Sequence, residues 1–171
     1  DCGPGHIPLR LARELPDVRI DAVDGAAAML EHARSALAAA PDCAERVRFI
    51  QATLPHHGLA SGAYHAIVSN SLLHHLHDPS ALWDTVKRLA APGARVLVMD
   101  LSRPADPAAA ESIVATYAAG EPEVLRRDFY NSLFAAFTPD EVRSQLQQAG
   151  LGGLDVTTVS DRHLLVQGQL P

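Results

Sequence analysis

The chain has 171 residues, 47% apolar and 20% charged, which is enough to bury one core and rules out a disordered or fibrous protein. Fourteen Lys and Arg against twenty Asp and Glu leave a formal charge of -6 without a basic run, which argues against a nucleic-acid partner, whose phosphates need a positive face. Cys2 and Cys43 form no framework, and no apolar run nears the roughly 20 residues of a membrane span, so the expected setting is the reducing cytoplasm, away from membranes.

In chain order, residues 6–15 set Ile7, Leu11 and Leu15 at helical spacing until Pro16-Asp17 stops them. Val18 to Val23 alternates as a strand and ends at Asp24. Residues 26–40 put Met29, Leu30, Ala33 and Leu37 on one helical face, closed by Pro41. A strand over 47–52 leads into a loop containing Pro55, His56, His57, Gly58 and Gly62. Tyr64 to Asn70 is apolar enough for a strand buried in a parallel sheet. Ser80 to Ala91 reads as a helix broken by Pro92-Gly93, ahead of a second buried strand from Arg95 to Leu101. Helices are expected over 106–119 and 121–136. A third starts at Thr138-Pro139-Asp140-Glu141 and ends at Gly150, with Thr138 as N-cap and Pro139 in its first turn. Two closing strands span 154–159 and 163–168. This alternation implies an α/β open sheet, mostly parallel with a C-terminal antiparallel strand pair. The expected organisation is one domain over 1–171, with the least regular stretch, 102–137, as a cap over the active face.

The chain opens on Asp1-Cys2-Gly3-Pro4-Gly5-His6 and then a helix. Such a turn brings backbone N–H groups and a helix N-terminus to a ligand, and glycine lets the chain approach it without a Cβ. The dinucleotide fingerprint fails, because Pro8 stands where its third glycine would fall. An acidic residue, Asp1, leads the turn, which suits a cationic ligand better than a pyrophosphate. Asp24, closing the next strand, suits bidentate hydrogen bonding to ribose hydroxyls. Together these residues point to an adenosine-bearing ligand with a positive centre; the plainer alternative is a tight strand-to-helix turn.

With these motifs the chain resembles the class I S-adenosylmethionine-dependent methyltransferases over essentially its whole length. The family's D-x-G-x-G matches Asp1-Cys2-Gly3-Pro4-Gly5, its second acidic position matches Asp24 in Val23-Asp24-Gly25, and its fourth-strand segment matches Tyr64 to Leu76. The resemblance implies a Rossmann-like open sheet with S-adenosyl-L-methionine across the carboxyl ends of its strands. Asp1, Gly3 and Gly5 would surround the methionine part, Asp24 would take the ribose, and Ala26 or Met29 would pack on the adenine. Thr53, with neighbouring Leu54, stands where the family often has an Asp for the adenine amino group, and His65 replaces a common Asp. Asn70 would touch the cofactor's amino group. The resemblance also implies a strand before Asp1, so the chain reads as N-terminally incomplete.

His74-His75-Leu76-His77-Asp78 concentrates three of nine histidines. Binuclear-zinc spacing is not met, because Asp78 and Pro79 follow His77 at once, so no metal is expected. His74 is the candidate base, since an ordinary imidazole titrates near pH 6.5, with His75 beside the acceptor; alternatively the histidines pack or cap the turn. Asp100 ends another strand on the same edge, either as an active group or as the satisfied partner of Arg103 or of a helix N-terminus. Arg103 would bind an anionic acceptor, and Tyr130 would face the acceptor or simply pack. The expected reaction is in-line methyl transfer to a small-molecule acceptor, driven mainly by positioning and exclusion of water. The rivals are a cofactor-binding fold without transfer activity, a nicotinamide-dependent oxidoreductase and a metallohydrolase.

Overall fold

The computed structural model describes residues 1–55 and 58–171, so His56 and His57 of the expected loop lie outside the described residues. The chain divides into two units, Asp1–His56 and His57–Pro171.

The first unit runs α1 (His6–Glu14), β1 (Ile20–Asp24), α2 (Ala27–Ala38) and β2 (Val47–Gln51). β1 and β2 pair in parallel, from Ile20 beside Val47 to Asp24 beside Gln51. Leu9, Ala12, Ala40, Cys43 and Val47 form its core, joined by Ile20, Leu37 and Phe49. The end of α1 is held by one side chain. Arg46 donates from Nη1 to the carbonyls of Ala12 at 2.7 Å and Leu15 at 3.3 Å, and from Nη2 to that of Asp42 at 3.1 Å. Carbonyls left over at the end of a helix thereby find a cationic donor.

The second unit runs β3 (Tyr64–Asn70), a 3-10 turn (Leu73–His75), α3 (Ser80–Leu89), β4 (Ala90–Leu101), α4 (Pro107–Tyr117), α5 (Glu123–Ala135), α6 (Pro139–Gln148), β5 (Asp155–Thr158) and β6 (His163–Gln169). Its sheet has the order β3-β4-β6-β5. β3 and β4 are parallel across the α3 crossover, while β6 is antiparallel to both β4 and β5. The mixed α/β architecture and the closing antiparallel pair agree with the sequence.

Two expectations change. Pro92-Gly93 does not separate α3 from its strand: Ala90 is already extended, Tyr64 pairs with it, and a register irregularity between Tyr64 and Ala66 absorbs the Pro-Gly step, where Gly93 has φ 76. β3 and β4 are not buried on both faces. Ser69, Val96 and Val98 point into the core, whereas Val68 (49% exposed) and Leu97 (41%) lie on the open face. The apolar run was legible, but β3 is an edge strand among the described residues. The stretch 102–137 contains the two helices expected over 106–119 and 121–136, here Pro107–Tyr117 and Glu123–Ala135.

α4 and α6 have side-chain caps. Asp106 accepts from the Ala109 N–H at 2.8 Å ahead of Pro107, and Thr138 and Glu141 form a reciprocal capping box ahead of α6. Leu101, Ala110, Ile113, Val114, Leu133 and Ala136 make the core beneath α4 and α5, with Phe129 and Tyr130 packed on it.

Candidate functional site

In the first unit the Gly-rich turn and the end of β1 are fastened by one carboxylate. Asp24 is 4% exposed. Its Oδ2 accepts the Gly3 N–H at 2.7 Å and its Oδ1 accepts the Ala26 N–H at 2.8 Å. The Cys2 N–H reaches the Val23 carbonyl at 3.0 Å, so the turn lies alongside β1. Two glycines in this turn have different work. A Cβ on Gly5, at φ 88, would stand 2.9 Å from Phe49 Cζ and 3.1 Å from Ala33 Cβ, so Gly5 is required by packing. A Cβ on Gly3, at φ 54, would meet nothing within 4 Å, which leaves its backbone open to a ligand.

Thr53 is exposed and its methyl lies beside Gly25, 3.2 Å from where a Cβ there would sit, so the loop after β2 borders the Asp24–Ala26 turn. Leu54 is half-buried, and Met29, in the first turn of α2, is 40% exposed. Asp1 is exposed at the start of the turn. Burial, with the Asp24 charge behind it, pushes the Cys2 thiol up to about 11. The structure thus brings Gly3, Asp24, Ala26 and Thr53 together. These groups fit a hydroxyl-bearing ligand: each Asp24 oxygen has a second lone pair, and Gly3 presents bare backbone.

In the second unit the site is the turn after β3. Asn70 ends the strand and its Nδ2 donates to Ser71 Oγ at 3.1 Å. Ser71 is left-handed at φ 53, rare for a residue that carries a Cβ. The chain then enters the Leu73–His75 turn, which the buried Asp100 gathers. Asp100 Oδ2 accepts the N–H groups of Leu72 at 2.8 Å and Leu73 at 2.7 Å, and Oδ1 accepts that of Leu101 at 2.8 Å. The same Oδ1 lies 2.6 Å from His74 Nδ1. Burial pushes the Asp100 carboxyl up, but the bonds from His74 and from the backbone of Leu73 and Leu101 outweigh it and hold it below the ordinary carboxylate range. With Nδ1 the donor, His74 keeps its lone pair on Nε2, which has no hydrogen-bond partner among the described residues. The His75 ring lies tilted beside it with centroids 3.9 Å apart, and partial burial, then the neighbouring His74, holds its titration below the usual range.

Sequence reading weighed Asp100 against Arg103, yet the two are not partners. The Arg103 guanidinium is taken by Glu141, itself held low by the Thr138 N–H and by Arg103. Tyr130 packs on the core under α5 and faces Phe134 with ring centroids 5.0 Å apart. α5 itself packs against the Leu73–His75 turn. Among the described residues no group of three or more His, Cys, Asp or Glu side chains is arranged to hold a metal ion.

A glycine turn tied to a strand-end acid beside a parallel strand pair in the first unit, and a parallel strand pair followed by two antiparallel strands in the second, are features of the Rossmann-like class I S-adenosylmethionine-dependent methyltransferases. The chain belongs to the methyltransferase domain family, whose model matches residues 1–96. It is 33% identical over 103 residues to an uncharacterized methyltransferase of Mycobacterium tuberculosis strain H37Rv, covering 60% of this chain and 49% of that protein. The chain thus spans about half the length of the curated relatives it matches. Among solved structures, a SAM-dependent methyltransferase from Aquifex aeolicus superposes with a TM-score of 0.71 at 17% identity, over 99% of this chain and 79% of that one. The plantazolicin methyltransferase BpumL, solved with S-adenosylhomocysteine, gives 0.79 at 12% identity, over 99% and 73%. At such identities these structures speak for the fold.

Proposed function

We propose that the protein transfers a methyl group from S-adenosyl-L-methionine to a small-molecule acceptor. The observation that carries this reading is the Asp24 carboxylate bonded to the Gly3 N–H beside an open glycine backbone, in a chain of the methyltransferase domain family. When bound, the cofactor supplies an electrophilic methyl on a sulfonium. Gly3 and Gly5 would shape the turn for its methionine part, and Asp1 would offer a carboxylate to its positive charge. Asp24 would accept from the ribose hydroxyls, Ala26, Met29, Thr53 and Leu54 would border the adenine, and Asn70 would take the amino group.

His74 is the base: Asp100 holds the proton on Nδ1, leaving Nε2 to accept one from the acceptor. His75 and Tyr130 are acceptor contacts. Arg103 serves an anionic acceptor only by leaving Glu141. Most of the rate comes from positioning and exclusion of water, so the base adds to a reaction that orientation already favours. No helix of the described residues is long and apolar enough to cross a membrane, and the cytoplasm is the proposed location.

S-adenosylhomocysteine should raise the melting temperature of the protein, and Asp24→Ala should remove most of that shift. A wild-type protein that does not respond would refute the cofactor assignment. Binding without transfer to any acceptor would instead favour a cofactor-binding fold that lacks turnover.

A further inference from the structure

We infer that the glycine-turn site reads the sugar of its nucleoside ligand by charge and the base by shape alone. Purines that present an amino group or a carbonyl at position 6 therefore bind alike, and Thr53 is the residue that makes them so. This rests on the cofactor reading above and deepens it by naming the range of nucleosides the site takes. Every residue involved lies in the first unit.

Asp24 is a fixed acceptor. It is 4% exposed, and the amides of Gly3 and Ala26 hold its two oxygens at 2.7 and 2.8 Å. Its remaining lone pairs take donors, so vicinal hydroxyls suit it. A base joined to that sugar meets the surfaces that border the Asp24–Ala26 turn, which are the loop after β2 and the first turn of α2. The Ala52 N–H donates to the Asp24 carbonyl at 3.0 Å and ties that loop to the turn. Thr53 Cγ2 lies 3.2 Å from where a Cβ on Gly25 would sit, so the absence of a side chain at Gly25 lets Thr53 close in. Met29 is 40% exposed and Leu54 is half-buried.

Ala26, Met29, Thr53 and Leu54 carry no charge among them. Thr53 is the polar one: it is exposed, and its hydroxyl makes no hydrogen bond among the described residues. A hydroxyl turns to suit its partner, donating one bond and accepting others. Against the amino group of adenine it accepts; against the carbonyl of hypoxanthine it donates. A carboxylate in the same place would accept alone and would repel the carbonyl. Met29 and Leu54 offer dispersion contacts to ring faces, which the two purines share. Selectivity is thus concentrated at the sugar, where the acceptor is charged and immobile.

Calorimetric titration of the full chain with S-adenosyl-L-homocysteine and with S-inosyl-L-homocysteine tests this. The two dissociation constants should agree within about threefold, since one neutral hydrogen bond replaces another. Asp24→Ala should weaken both compounds together by about tenfold or more, because the sugar is common to them. Thr53→Val should weaken both by the same small factor, about threefold. Thr53→Asp should separate them, shifting the ratio about tenfold toward the adenosyl compound. Thr53 is exposed, so these variants keep the fold, which unchanged melting temperatures without ligand would verify. A wild-type preference for the adenosyl compound above about tenfold would overturn the inference. So would a Thr53→Asp ratio equal to that of the parent. Both results leave the cofactor reading standing, since S-adenosylhomocysteine still binds. A protein that binds neither compound takes both readings down together.

Discussion

Each unit contains one deeply buried aspartate at the end of a strand, and the two solve the same problem with different means. Asp24 in the first unit and Asp100 in the second both turn their carboxylates on backbone N–H groups of a loop that would otherwise have no regular partners. Around Asp24 the loop carries two glycines, and both donors to the carboxylate are main-chain amides, those of Gly3 and Ala26. Around Asp100 the loop's left-handed position is occupied by Ser71, and one donor is an imidazole. The first arrangement clears side chains away from backbone; the second keeps them and fixes the orientation of one. A strand-end carboxylate thus orders backbone alone when its loop is bare, and backbone together with one side chain when its loop carries a histidine.

Removing the second carboxylate tests this contrast most severely. Asp100→Ala strands buried N–H groups of Leu72, Leu73 and Leu101 and the His74 ring, and should cost about 3–5 kcal/mol in chemical denaturation. Gly5→Ala should follow at about 2–4 kcal/mol, since it adds a methyl group 2.9 Å from Phe49 at a left-handed position. Gly3→Ala, with open space around it, should cost only the conformational part, about 1–2 kcal/mol; equal losses at the two glycines would remove the distinction drawn between them. Asp24→Ala leaves two turn amides, those of Gly3 and Ala26, without their acceptor and should cost about 1–3 kcal/mol.

The smallest effect is the pH dependence. The folded-state pKa of Asp100 lies below its unfolded value, so its contribution is fully present above the unfolded pKa of about 3.9 and fades as pH falls through the folded one. Asp100→Asn should therefore be less stable than the parent at pH 7, with the gap narrowing in acid below about pH 4. A gap that stays constant down to pH 2 would show that the carboxylate charge contributes nothing.

Much of this was legible because it depends on local pattern. α1, α2 and α6 follow from apolar spacing and caps, β1 from alternation ending at Asp24, and β2 from the strand read over 47–52. The open face of β3 and β4 was not legible: Val68 and Leu97 read as core, and only strand order shows that β3 is an edge. For the site, the glycine turn and Asp24 were visible as a motif. That Asp24 fastens the turn as well as closing the strand was not, because the bond from Gly3 spans 21 residues. His74 stood out within a histidine run, but its partner lies 26 residues further on, and nothing in the sequence decides between Arg103 and His74 as the company of Asp100. Arg103 found Glu141 through the cap of α6, a pairing set by tertiary position alone.

Arg46, which gathers the carbonyls at the end of α1, carries a consequence for how the first unit comes apart. Trypsin must draw a guanidinium into its own pocket before cutting, and this one is already committed to the carbonyls of Ala12, Leu15 and Asp42. Cleavage after Arg46 therefore requires the helix end to let go, while cleavage after Arg34, whose side chain is exposed within α2, requires that helix to unwind instead. The order in which those two peptides appear in a timed digest is a clock for local opening of the unit that contains the glycine turn.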